Sequence, residues 1–166
     1  MIQTQNRAMT ASLRTDGSGQ LLVHEIFLKV NNAKDKPKKI EVLKEHNSPE
    51  LRMLLKGAFD PKIEWELPVG IPPFIKNDAP AGTEHTSLFT ECKKLWHFVK
   101  GADTQTGKAK KEIMFIQILE GLQEKDAEAL IAIKDKKLNT IYKGLTENMV
   151  KEAFGWNDDF VKPESN

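Results

Sequence analysis

Cysteine is almost missing from this sequence. Cys92 stands alone, which excludes an internal disulfide and a cysteine-based zinc site. It lies in a helical pattern beside apolar neighbours, where a half-buried, inert thiol is expected and a nucleophile is not. Arginine is nearly as scarce: Arg7, Arg14 and Arg52 are all there are, so bidentate reading of bases is not expected. No apolar run is long enough to span a bilayer, and Met1–Asn6 lack the apolar segment of a signal peptide. The expectation is a soluble, intracellular protein with no membrane contact. Charge of one sign is also lacking. The 25 Lys and Arg against 24 Asp and Glu leave +1, so no global field draws the chain to nucleic acid, and any cationic function must come from local clustering.

Catalytic patterns are equally thin. His24, His46, His85 and His97 are scattered, with no pair four apart and no cysteine partner, so no metal site is expected. Asp158-Asp159 and Asp126 with Glu128 are the closest acidic pairs, and both read as solvated charge. Gly101 to Lys108 has a superficial likeness to a phosphate-binding loop, but five residues separate its glycines and Ala109 follows the lysine. No catalytic residue, metal or cofactor is therefore assigned, and a non-enzymatic protein is expected.

What is present is helical periodicity. With 39% apolar and 30% charged residues in 166, one globular domain is expected over 20–156, after a mobile leader at 1–19 and before a C-terminal tail at 157–166. Leu22, Ile26 and Val30 predict a helix over about 20–32. Pro37 and Pro49 sit where helices open, and Leu51, Leu54, Leu55 and Ala58 carry a third helix to Asp60-Pro61. Leu88, Leu95, Trp96, Phe98 and Val99 predict one long fourth helix from about Glu84, facing the core and stopping at Gly101. Lys108–Glu120 is the densest apolar segment and the expected central helix. A sixth helix follows over 124–134, and Thr146 caps a seventh that ends at Gly155. No strand-period run competes, apart from the weak alternation over 62–67. The fold class is all-α, a compact bundle of six to seven helices with a long Pro-rich ordered loop over about 60–82. Leu54, Leu95, Phe98, Phe115, Ile116, Leu119, Leu130 and Ile133 are its expected core.

Three features hold candidate binding residues. Lysines cluster at helix ends, with Lys108, Lys110 and Lys111 at the entry to the fifth helix and Lys134, Lys136, Lys137 and Lys143 between the sixth and seventh. Such lysines can reach backbone phosphates; they can equally offset helix dipoles and keep a protein soluble. The Pro-rich loop carries Trp65 and Phe74, which either seal the core or dock a partner. In the tail, Trp156 either folds back on the last helix, as aromatics past a glycine stop do, or joins Phe160 in a hydrophobic-acidic docking peptide.

The order of elements resembles a known domain. Lys39–Asn47 with Pro49–Lys56, then the unit Lys110–Lys137 followed by Lys143-Gly144-Leu145-Thr146 and Val150–Phe154, is similar to the N-terminal helical DNA-binding domain of phage ATP-dependent DNA ligases. The chain also resembles small uncharacterised proteins of large, cyanophage-like contractile-tailed phages. The ligase's catalytic lysine signature before Asp-Gly is absent, so the resemblance implies a sequence-neutral binder of double-stranded DNA and not a ligase. The resulting expectation is a non-enzymatic phage DNA-binding or replication-accessory protein touching duplex phosphates. The alternatives are an adaptor for a phage or host protein, or a minor virion component. The implied location is the cytoplasm of an infected bacterium or the virion itself.

Overall fold

The computed structural model describes residues 21–77 and 86–163. The expected leader at 1–19, the end of the Pro-rich loop with Pro80 and Gly82, and His85 lie outside the described residues. Among the described residues the chain is all-α, with eight α-helices, one 3-10 helix and two isolated bridges, Trp65 with Val99 and Asn77 with Gln123. No helix among them is long and apolar enough to cross a membrane.

Local chemistry explains the first three helices. They are α1 (Val23–Asn32), α2 (Lys36–Glu45) and α3 (Pro49–Phe59). Asp35 accepts the Lys38 amide at 3.0 Å and Ser48 Oγ accepts the Leu51 amide at 3.1 Å, while Pro37 and Pro49 sit in first turns that need no donor. At α1 the Glu25 carboxylate reaches back to the Leu22 amide, 2.7 Å away.

The expected fourth helix is replaced by two shorter pieces, α4 (Leu88–Glu91) and a 3-10 helix over Cys92–Phe98. Cys92, Leu95 and Phe98 are spaced by three, and at three residues per turn they align on one buried face. An α-helix would have turned Trp96 inward; the tighter winding leaves it 50% exposed. The piece ends where Val99 turns to the Pro-rich segment, with the Glu66 amide donating to Phe98 O and the Lys100 amide to Glu64 O. The weak 62–67 alternation thus becomes a single bridge.

Centrality also differs from the reading of the sequence. α5 (Lys108–Gly121) buries Phe115, Ile118 and Leu119, but Ile113 is exposed and Ile116 half-buried. The central helix is α6 (Glu124–Lys134), which touches α1, α3, α5 and the short α7 (Leu138–Ile141). Ala127, Ala129 and Ala132 let neighbours approach closely, while Leu130, Ile131 and Ile133 fill the gaps. Apolar bulk marked α5; small residues on several faces made α6 the hub. Seven of the eight expected core residues are buried, Ile116 being the exception.

The last helix, α8 (Glu147–Phe154), packs on α2, with Thr146 Oγ1 accepting the Met149 amide and Gly155 stopping the helix at φ +69°. The following residues fold back. Asn157 and Val161 close a turn, Phe160 is buried, and Lys151 lies over its ring at 5.1 Å. Trp156 packs between Phe154, Phe160 and the Lys56 ammonium.

Phe98 and Phe115 meet edge to face at 5.4 Å, joining the 3-10 helix to α5 inside the core. Phe98→Ala is expected to cost on the order of 3–5 kcal/mol, a large part of an ordinary domain's stability, read as a lower denaturation midpoint in urea.

Candidate functional site

The seven candidate lysines divide into two groups, and the division defines the site. Lys111 and Lys134 are buried, with side chains 2% exposed. Lys111 Nζ donates to Glu66 Oε1 and to Asp103 O, both at 2.7 Å. Lys134 Nζ donates to Pro68 O at 2.7 Å, Gly70 O at 3.0 Å and Asp135 Oδ1 at 2.5 Å. Lys136, at φ +60°, sends its ammonium back to Gly57 O and Asp60 O, each 2.8 Å away. All three are engaged within the fold: for Lys111 and Lys134 burial is tolerable only because the ammonium protons are bonded, and the more exposed Lys136 is held by two backbone carbonyls. Lys108, Lys110, Lys137 and Lys143 remain exposed and form no ion pair among the described residues.

The two buried ammonium groups act on the Pro-rich strap, residues 61–77, and Lys136 on the end of α3 that leads into it. Prolines at 68, 72 and 73 remove amide donors, so the strap cannot join a ladder and its inward carbonyls need partners from elsewhere. Lys134 supplies them from the end of α6, and Asp135 Oδ2 accepts the Gly70 amide at 3.0 Å in return. Glu120 of α5 accepts the Ile75 amide at 2.8 Å. Trp65 is half-buried; its Nε1 donates to Gly57 O at 3.0 Å, and a Cβ on Gly57 would lie 2.7 Å from the indole. Phe74 is half-buried against the core.

Fastening the inward side turns the other side out. Val69, Ile71 and Ile75 are 78%, 78% and 79% exposed, and Pro73 between them is exposed too. Gly70, Pro72 and Phe74 alternate with them on the inward side. From Leu67 to Ile75 the strap carries no charge, and beneath it a cavity of about 310 Å³ opens between Pro68–Pro73 and Glu112, Phe115 and Ile116 of α5. Of the aromatic docking candidates, Phe160 is buried as core, and Trp65, Phe74 and Trp156 are each packed against neighbours. The period-two spacing of 71, 73 and 75 is the signal the sequence carries for this aliphatic stripe, which Val69 joins across the bend at Gly70. Lys134 likewise lies one turn after Leu130, on a core-facing register, and Lys111 one turn before Phe115.

Acidic groups complete the electrostatics. Lys111 bonded to Glu66 holds that carboxyl below its ordinary value. Burial lowers Lys136, opposed by Asp60 and Glu64. Asp126 is buried rather than solvated: its Oδ1 accepts the His24 amide at 2.9 Å and meets His24 Nδ1 at 2.7 Å. Asp103 pairs with His97 Nδ1 at 2.7 Å and accepts the amides of Gln105 and Thr106, and the His97 bond leads the causes that hold its carboxyl well below the usual range. Among the described residues, neither imidazole is bonded to a serine, threonine or cysteine. Cys92 donates to Phe89 O, and burial pushes its thiol up to about 11, as fits an inert core residue. No group of three or more metal-ligating side chains occurs among the described residues.

Lys134→Ala strips Pro68 O, Gly70 O and Asp135 of their shared donor and is expected to cost on the order of 3–5 kcal/mol. Lys137→Ala, on an exposed and unpaired neighbour, is expected to stay within about 0.5 kcal/mol. Urea unfolding of the two variants side by side checks the contrast.

The profile of DUF6433, a family of unknown function, matches residues 26–140, and the chain belongs to that family. The matched span runs from within α1 through most of α7 and includes the whole described strap with the lysines that fasten it. No curated protein and no solved structure matches the chain.

Proposed function

We propose that this chain is a non-enzymatic binding protein that docks another protein on the outward stripe of its strap. The observation that supports this is the exposure of Val69, Ile71 and Ile75 on a segment held in place by buried ion pairs. Apolar side chains exposed in a row mark interaction sites more often than chance exposure does, and a strap already ordered loses little further entropy on binding. The resemblance to small proteins of contractile-tailed phages supports seeking the partner among phage or host proteins of an infected bacterium, or in the virion. Immobilised chain should retain a partner from such an extract, and Ile71→Asp should reduce retention at least about tenfold, the effect of roughly 1.4 kcal/mol. Equal retention by both would contradict the reading.

A second reading, contact with duplex phosphates, draws on Lys108, Lys110, Lys137 and Lys143, which are exposed and form no ion pair among the described residues. It is weaker by the three lysines already bonded within the fold. If it holds, the logarithm of duplex affinity falls with that of salt by about 0.9 per phosphate contacted, and each of these lysines changed to alanine shallows the slope by roughly one. No duplex binding at ~50 mM salt would contradict it.

A further inference from the structure

We infer that the cavity beneath the strap receives a tryptophan side chain of the docking partner, its indole held between the strap's prolines and α5. The inference rests on the strap being a docking surface and names the group that anchors there.

The cavity follows from where the strap is fastened. Lys134 and Asp135 hold Pro68 and Gly70, and Glu120 holds the Ile75 amide, so the stretch from Ile71 to Phe74 passes over α5 between two anchors with no hydrogen bond to that helix among the described residues. About 310 Å³ opens under it, walled by Pro68, Ile71 and Pro72 on one side and by Phe115 and Ile116 on the other. Ile116, the expected core residue that stays half-buried, is part of that wall. Spaces this large are rare in close-packed domains, and each wall atom without a neighbour forfeits dispersion contacts that an inserted group restores.

Wall chemistry selects the occupant. Two charged side chains line the cavity. Lys134 gives its ammonium protons to Pro68 O, Gly70 O and Asp135, so no cation is left to hold an anionic guest. Glu112 is exposed and forms no ion pair among the described residues, which leaves its carboxylate to accept a hydrogen bond at the mouth. Size narrows the choice: an apolar cavity of about 150 Å³ takes a benzene ring, and this one is about twice that, the room two fused rings need. Indole has that size, packs flat against proline rings and Phe115, and carries one N–H that needs an acceptor when buried, which Glu112 supplies. Exposed Ile71, Pro73 and Ile75 lie on the strap's outer side. A free small molecule would leave them bare, whereas a ring borne on a protein brings a surface to cover them, so that a buried aromatic anchor is ringed by contacts that exclude water.

Methyl NMR of the full chain titrated with indole reads the cavity. The expected result is a saturable shift of the Ile71 and Ile116 methyls with a dissociation constant on the order of 0.1–1 mM. Glu112→Ala should weaken indole about fivefold and leave 1-methylindole, which has no N–H, unchanged. Ile116→Phe, which fills the cavity, should abolish the Ile71 shift. In the capture experiment, indole at saturating concentration should displace the retained partner, and Ile116→Phe should lower retention at least about tenfold. Displacement uses the unaltered chain, so it does not depend on how that variant folds. Methyls unmoved by ~5 mM indole overturn the inference, as does a partner retained equally while indole fills the cavity. The docking reading is judged apart: if Ile71→Asp abolishes retention but indole neither binds nor competes, docking on the stripe stands and the tryptophan anchor is wrong, whereas retention unchanged by Ile71→Asp removes the docking reading itself.

Discussion

Inward carbonyls of a proline-rich segment laid over a helical core must find donors, and in this protein buried ammonium groups are those donors. Pro68 O and Gly70 O take two of the bonds made by Lys134, and Glu66 takes one made by Lys111. Water would satisfy the same groups only if the strap stood away from α5 and α6. Because the lysines sit at the ends and inner faces of those helices, the strap is drawn down along its N-terminal half. The third ammonium, Lys136, holds the carbonyls of Gly57 and Asp60 at the end of α3. Helix ends and strap are thereby held by one set of charges, which hydrogen bonding makes tolerable in a low-dielectric interior.

The same constraint decides which surface is left for binding. The strap bends at Val69 and Gly70, the latter at φ +103°, and from Ile71 to Ile75 half-buried Pro72 and Phe74 alternate with exposed Ile71, Pro73 and Ile75, Val69 standing exposed before the bend. No neighbouring element covers these four. Their exposure is thus a consequence of fastening the strap, and the docking reading turns on what comes to cover them.

Fold class and most helix limits were legible in the sequence because caps and breakers act locally. Pro37, Pro49, Ser48, Thr146 and Gly155 do in the structure what their chemistry predicts. Two features were not legible, for different physical reasons. The spacing of Cys92, Leu95 and Phe98 fits three residues per turn, but Trp96 and Val99 supply an α-like apolar pattern that competes with it. The roles of the lysines depend on contacts far apart in the sequence, 45 residues from Lys111 to Glu66 and 66 from Lys134 to Pro68, and no local pattern encodes those. A basic cluster at a helix end looks alike whether it faces solvent or a carbonyl. The register of Lys134 behind Leu130 separates the two, provided the helix face is traced residue by residue. Likewise Asp126 reads as solvated because its partner, His24, lies 102 residues away in the sequence.

Amide hydrogen exchange at the strap tests most directly whether these charges fasten it. Gly70 gives its amide to Asp135, whereas the amides of Val69 and Ile71 on either side bond to nothing among the described residues. If the Lys134–Asp135 pair holds the strap to α6, Gly70 exchanges at least about a hundredfold more slowly than those two neighbours. Exchange of all three at one fast rate would show a strap that is not fastened, and would contradict the account.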